Sequence, residues 1–162
     1  METEKHPEQV FIPNAKKYLE QVKLLEKVVN LKTDELRGYY ELAQKVTTVY
    51  SDMPGSPNRN ISGMENVMAK ILDAEKELTE EIDRLIDMKR EVSSVIDCVE
   101  DIQHRTVLMN RYVLLLNWKA IAVSMDMDVR SIYRFHRAGL EEVQKILEKN
   151  LNLSANVIAC QQ

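Results

Sequence analysis

Apolar residues recur at alternating spacings of three and four along two long stretches of the chain, residues 14–50 and 64–99. This spacing is typical of the seam of a coiled coil. Lys32 interrupts the first seam, and the step from Leu78 to Ile82 makes the second seam irregular. Polar and charged residues fill the other faces of both stretches. The pattern predicts two long amphipathic helices.

A segment rich in helix breakers separates these stretches. Pro54, Gly55 and Pro57 follow one another closely, which makes continued helix very costly. We therefore expect a loop near residues 51–63. Each predicted helix is ~54 Å long, from about 36 residues at about 1.5 Å per residue. Matched lengths favour an antiparallel hairpin over residues 14–99.

Beyond the hairpin the apolar pattern becomes shorter. It predicts helices over residues 102–113, 118–125 and 129–149, which together form a compact unit. Residues 1–13 and 150–162 have no sustained period, so we expect flexible tails there. With only four glycines and four prolines, the chain lacks the turn residues that many short strands need. The predicted fold is all-α, a long antiparallel hairpin followed by a helix-turn-helix domain.

Composition points to a protein of the cytoplasm that binds no metal and no cofactor. The two cysteines, Cys98 and Cys160, are too few for a disulfide framework, and the longest apolar run is far too short to span a membrane. Cys98, His104 and His136 lack the paired spacing of a zinc site. We find no phosphate-binding loop and no nucleophile motif, so we do not expect an enzyme.

Charge is unevenly distributed along the chain. The net charge is −4, but residues 102–147 contain seven Lys and Arg against four Asp and Glu, a balance of +3. The rest of the chain therefore carries −7. The basic surplus makes the C-terminal segment the candidate for binding nucleic acid.

A short helix, a three-residue turn and a second, longer helix are predicted inside that segment. Asn117 is suited to cap the first helix, and apolar residues follow from Trp118 to Met125 at helical spacing. Asp126 stands where such turns often use glycine, and Asp tolerates a left-handed backbone better than most residues. Asp128 is suited to cap the second helix.

The second of these helices carries a basic face. Its apolar residues repeat on one side, which leaves Arg130, Arg134 and Arg137 at i, i+4 and i+7 on the other. Arginine can bridge guanine O6 and N7 or bind phosphate, and the first turns of a recognition helix reach deepest into the major groove. We expect Arg130 and Arg134 to contact bases and Arg137 to contact phosphate. The full predicted DNA-binding set is Arg130, Ser131, Tyr133, Arg134, Arg137, Lys119 and Arg111, of which the last two would hold the DNA backbone.

The same residues carry a resemblance to known proteins. The relevant strings are Arg111-Tyr112, Trp118-Lys119-Ala120-Ile121-Ala122, Met125, Arg130-Ser131-Ile132-Tyr133-Arg134-Phe135-His136 and Leu140. Together they resemble region 4 of bacterial sigma factors and, more narrowly, the phage-encoded transcription regulators typified by ArpU and RinA. The chain departs from that pattern at Asp126 and at Leu114-Leu115-Leu116, which replaces a polar loop.

The resemblance implies a regulator of phage or prophage genes in a bacterial host cell. Such a protein would bind double-stranded DNA at a promoter and activate transcription. The helical hairpin would then form a homodimer or contact RNA polymerase.

Two other functions stay open at this point. A small-terminase-like DNA packaging component also joins a helix-turn-helix to helical oligomerisation segments. A coiled-coil interaction protein without DNA binding would need only the hairpin.

Overall fold

The computed structural model describes residues 14–51 and 58–159. The described part of the chain is all-α, as predicted, and none of its helices is long and apolar enough to cross a membrane. The helices are α1 (Ala15–Ser51), α2 (Asn58–Asp97), α3 (Ile102–Leu108, continued by a π-helical segment Met109–Val113), α4 (Trp118–Ser124) and α5 (Val129–Ala159).

The described residues from Val22 to Met88 (22–51 and 58–88) form one compact unit, which we call the hairpin unit. Polar contacts join α1 to α2 in it; for example, Lys32 Nζ forms an ion pair with Glu77, and the Tyr40 hydroxyl donates to the carboxylate of Glu75. Lys32 precedes Tyr40 in α1, whereas its partner Glu77 follows Glu75 in α2. The two helices therefore run antiparallel. Fully or nearly fully buried apolar residues line the seam: Val22, Val67, Ile71 and Ala74.

The start of α1, the end of α2 and the helices α3 to α5 form a second compact unit, which we call the C-terminal unit. Its polar contacts tie these elements together: the Ala15 backbone N–H donates to Gln144 Oε1 at 2.8 Å, and the Tyr18 hydroxyl donates to Glu91 Oε1 at 2.9 Å. Every element supplies side chains to the core. The fully buried ones are Leu19, Val92, Ile96, Val99, Val107, Leu108, Ile121, Ile132 and Val143.

Gly139 allows α3 and α5 to approach closely. A Cβ atom at this position would lie 2.9 Å from Leu108 Cδ1 and 3.3 Å from His104 Cβ. Leu108 is itself fully buried, so it has little room to move away. The glycine is therefore required by packing.

Two helices extend further than the pattern predicts. Helix α2 begins at Asn58 and continues through Gly63. Relative to alanine, a glycine inside a helix raises the free energy of the helix by only about 1 kcal/mol, whereas a proline raises it by about 3 kcal/mol, so Gly63 does not end the helix. Helix α5 continues to Ala159, beyond the expected end at Lys149. The extension contains neither Pro nor Gly, so nothing in it stops a helix once α5 has formed. The predicted tail 1–13 lies outside the described residues.

The interior of the hairpin unit also differs from the prediction at one turn of α2. Ile82 was expected in the seam, but it is 38% exposed, and Glu81 takes the more buried position with 18% of its side chain exposed. In a continuous helix without a stutter, the inward-facing positions keep alternating at spacings of three and four residues. The spacing of four from Ala74 to Leu78 is therefore followed by a spacing of three, which places Glu81 inward. Ile82 is thereby left on the surface.

Candidate nucleic-acid interface

The first helix of the candidate interface, α4, begins at the predicted cap. The Asn117 side chain accepts a hydrogen bond from the Ala120 backbone N–H at 2.9 Å. The cap residue has an extended backbone, as N-cap residues do. Ile121 and Ala122 on the inner side of α4 are buried. The cap fixes where α4 starts and which side it turns toward the core.

The turn between α4 and α5 is held by backbone hydrogen bonds. The Met127 N–H donates to the Ala122 carbonyl at 3.0 Å, and the Asp126 N–H donates to the Val123 carbonyl at 3.2 Å. This pair of bonds is the Schellman motif, which places the residue at C′ in the left-handed region. Asp126 has φ 52°, so the predicted replacement of glycine by Asp126 is confirmed.

Asp128 caps α5, also as predicted. Its carboxylate accepts from the Ser131 backbone N–H at 2.9 Å and from the Ser131 hydroxyl at 2.6 Å. The hydroxyl of Ser131, followed by the backbone donors, holds the pKa of Asp128 below its ordinary value. The carboxylate therefore stays charged at the positive end of the helix dipole. Ser131, from the predicted DNA-binding set, is engaged in this cap.

The two sides of α5 differ as the spacing predicts. Ile132, Gly139 and Val143 are buried on the inner side. The outer side is exposed and presents four residues of the predicted set: Arg130, Tyr133, Arg134 and Arg137. The structure thus brings the three arginines together on one exposed face of a helix that Asp128 caps.

An aromatic cluster that includes Tyr133 of this face connects α5 to α4. The Trp118 ring lies 4.7 Å from the Tyr133 ring and 4.9 Å from the His136 ring, measured between centroids. These distances are in the favourable range for aromatic pairs. Because Trp118 begins α4 while Tyr133 and His136 belong to α5, the cluster fixes one helix against the other.

His136 is held neutral inside this cluster. Burial, with a smaller effect of the positive charges of Arg111 and Lys16, lowers its pKa to about 4. Its Nε2 lies 2.9 Å from the Tyr112 hydroxyl, whose own pKa burial raises to about 12. At neutral pH the hydroxyl can therefore donate to the unprotonated ring nitrogen, which links α5 to the π-helical segment.

The part of the chain that contains this interface matches a known family. Residues 57–144 match the family described as "Protein of unknown function (DUF1492)", and they make up more than half of the 162 residues. The chain belongs to the DUF1492 family. The matched region includes α4, the turn and the three exposed arginines. No curated protein and no solved structure matches this DUF1492 protein.

The two residues predicted to hold the DNA backbone lie in different surroundings. Lys119 is exposed on α4, beside a groove that Asp126 and Asp128 also line. Arg111 is half-buried: its guanidinium lies 4.5 Å from the centroid of the Trp118 ring, and Nη1 donates to the Leu116 carbonyl at 2.9 Å. In the DUF1492 protein Arg111 thus fixes the segment that leads into α4 and is not part of the open arginine face.

The leucine run before α4 has a feature that the sequence does not reveal. Leu115 has φ 56°, a left-handed backbone that branched or bulky residues rarely adopt. Leu116 packs against the core cluster around Val107 and Ile121, while Leu114 is exposed. The turn therefore lets Leu116 pack, partly buried, against the core, while Leu115 takes the unfavourable backbone conformation. The only sequence signal is that an apolar run stands where a polar loop is usual.

Proposed function

We propose that this DUF1492 protein binds double-stranded DNA through α4 and α5 and regulates transcription of phage or prophage genes. Helix α5 acts as the recognition helix in the major groove. Arg130 and Arg134 contact base edges, and Arg137 and Lys119 contact phosphates. The resemblance to sigma factor region 4 and to ArpU and RinA supports a role as an activator at a promoter, where the hairpin pairs with a second copy or contacts RNA polymerase.

One observation carries this proposal. Three arginines spaced at i, i+4 and i+7 are exposed together on a helix that follows a tight, capped turn. Arginine on the first turns of such a helix has the donor geometry for guanine O6 and N7. A solvated surface helix would not need the Trp118, Tyr133 and His136 cluster, which fixes the orientation of this face.

The proposal is tested in two steps on the full-length protein. Selection from a random pool of double-stranded DNA should enrich a defined sequence. Arg130→Ala and Arg134→Ala should each weaken binding to that sequence by about 1 to 3 kcal/mol, or roughly five- to 150-fold, in fluorescence anisotropy at fixed salt.

The matched control is Arg37→Ala, which removes an exposed arginine of α1 that is paired with Asp34. It should leave DNA affinity unchanged. Thermal melts by circular dichroism should show that all three variants are folded, since each of these side chains is exposed. Failure to enrich any sequence, or unchanged affinity in both Arg130→Ala and Arg134→Ala, would refute DNA recognition by this face.

A further inference from the structure

The first turn of α1 lies against α5 within the C-terminal unit. The Ala15 backbone N–H donates to Gln144 Oε1 at 2.8 Å, and Gln144 Nε2 donates to Glu148 Oε1 at 3.0 Å, which orients the acceptor. Ala15 and Leu19 are both buried. The backbone of Lys16, which lies between them in the chain, is therefore held in place, while its side chain is exposed.

The line of α5 that carries the three exposed arginines leads to this contact. After Arg137 the next positions at spacings of four and three are Glu141 and Gln144, and Gln144 is the acceptor of the Ala15 N–H. A groove lies at this junction, and Lys16 and Arg137 both line it. Helix α1 thus adds a positive side chain beside the last arginine of the face.

The electrostatics of His136 also indicate that Lys16 lies near this part of α5. The pKa of His136 is lowered first by burial, then by the charge of Arg111 and then by that of Lys16. Exposed charges act on each other over roughly 10 Å at ordinary salt concentrations. Because His136 directly precedes Arg137 in α5, Lys16 acts on the helix at the level of its arginine face.

The side chain of Lys16 is available for a further contact. Its Nζ lies 3.9 Å from Glu20 Oε1, and the two side chains are 59% and 44% exposed. An exposed pair of this kind contributes little free energy, so it can be exchanged for another anion. The backbone N–H groups of Lys16 and Lys17 donate to Asn14 Oδ1 at 3.0 and 3.3 Å. A ligand at this place would therefore be bound by side chains and not by the end of the helix.

We propose that Lys16 binds a phosphate of the DNA backbone next to the phosphate that Arg137 contacts, so that the start of α1 extends the DNA interface beyond α4 and α5. This inference rests on the proposed DNA binding. Helix α5 does not supply the contact itself, because the position after Arg137 on the same line is the acidic Glu141. Lysine binds phosphate as a point charge, so Lys16 adds affinity without sequence preference.

The charged residues around the groove are compatible with a phosphate at one end of it. Three are positive and two negative, and they are Lys16, Arg137, Lys145, Glu141 and Glu148. Glu148 already accepts a hydrogen bond from Gln144. The positive charge is therefore available where Lys16 and Arg137 lie, beside the arginine face.

The first test is the salt dependence of binding, measured on the full-length protein with the selected DNA. Lys16→Ala should lower the slope of log K against log salt by about 1 between about 50 and 200 mM salt. It should weaken binding to the selected and to a scrambled sequence by the same factor.

The matched control is Lys45→Ala, which removes an exposed lysine of the same helix. Lys45 lies ~44 Å further along α1, from about 29 residues at about 1.5 Å per residue, and this is several screening lengths away. It should change neither the slope nor the affinity. Circular dichroism melts should show that both variants are folded, since both side chains are exposed.

Uncharged phosphates in the DNA test the contact itself. A methylphosphonate replaces one charged phosphate oxygen by a methyl group and is placed at one position of the selected site at a time. At one position it should weaken binding of the wild type by about threefold or more but leave binding of Lys16→Ala nearly unchanged, because that contact is already lost. A position within one or two nucleotides of it should behave in the same way toward Arg137→Ala.

The outcomes separate this inference from the proposed function. The wild type can select a sequence, and Arg130→Ala and Arg134→Ala can weaken binding to it, while Lys16→Ala behaves like Lys45→Ala in both tests. That result would overturn the role of Lys16 and leave the recognition face intact. A change of sequence preference in Lys16→Ala would also overturn a phosphate contact. Failure of the wild type to bind DNA would overturn both proposals.

Discussion

The most perturbed group of the candidate interface is His136, which lies behind the arginine face. Its pKa is lowered to about 4, first by burial and then by the charges of Arg111 and Lys16. In the unfolded chain the same imidazole titrates near ~6.5. Between these two values the unfolded state binds a proton that the folded state does not bind. The contribution of His136 to stability is therefore present above the unfolded pKa and is lost as pH falls toward 4.

We expect His136→Gln to flatten the acid side of the stability profile. Glutamine keeps a polar side chain near the Tyr112 hydroxyl but does not titrate. Urea unfolding between pH 7.5 and pH 4.5 should show that the wild type loses stability more steeply than the variant, because only the wild type takes up this proton on unfolding. Equal slopes for the two proteins would show that His136 is not held neutral.

At the scale of elements, the packing of α3 against α5 depends on Gly139. A methyl group there would meet the fully buried Leu108 side chain at 2.9 Å. Gly38 in α1 is also helical, but a Cβ atom there would meet nothing within 4 Å. The two glycines therefore separate the effect of packing from that of helix propensity.

We expect opposite outcomes from the same substitution at these two positions. Gly139→Ala should destabilise the protein by about 1 to 3 kcal/mol, since α3 and α5 must move apart. Gly38→Ala should stabilise it by about 0.5 to 1 kcal/mol, since alanine is the better helix former. Urea unfolding at pH 7 measures both. Destabilisation by Gly38→Ala, or a neutral Gly139→Ala, would contradict the packing described for these helices.

At the scale of the whole molecule, charge is unevenly distributed between the C-terminal segment and the rest of the chain. Residues 102–147 carry +3, whereas the rest of the chain carries −7. Cationic residues that contact phosphates release counterions, so affinity falls as salt rises, with a slope of about 0.9 in log K per phosphate contact on duplex DNA. The net negative charge disfavours nonspecific coating of DNA, so the proposed DNA binding depends on a small basic surface.

We expect Arg137→Ala to change this salt dependence and not the sequence preference. If Arg137 contacts one phosphate, its removal should lower the slope of log K against log salt by about 1. Anisotropy titrations between 50 and 300 mM salt, roughly the range in which such slopes are measured, provide the test. Arg37→Ala is again the control. A loss of discrimination between the selected and a scrambled sequence would instead indicate that Arg137 reads bases.

Much of the interface follows from local sequence signals. Asn117, Asp126 and Asp128 each act on backbone groups within a few residues of themselves, so their roles as caps and as a left-handed turn residue were predictable. The separation of Arg130, Arg134 and Arg137 from the buried side of α5 likewise follows from helical period alone. These features do not depend on contacts with distant elements.

Other features depend on which surfaces meet. The apolar spacing predicted Ile82 in the seam, but in the continuous α2 helix Glu81 turns inward and Ile82 is left on the surface. Arg111 has a side chain suited to contact phosphate, as the sequence predicts. In the structure its guanidinium lies over the Trp118 ring and donates a hydrogen bond to the Leu116 carbonyl. A local pattern contains no information about such neighbours.

The sequence by itself determined the all-α fold, the helix caps and the exposed arginine face, because period and capping act within one or two helical turns. Only the tertiary structure decided that His136 is neutral, that Leu115 adopts a left-handed backbone and that Glu81 takes the place of Ile82 in the seam of α2. Each of these results from burial or from packing between distant segments, where the free energy of the whole fold outweighs local preference.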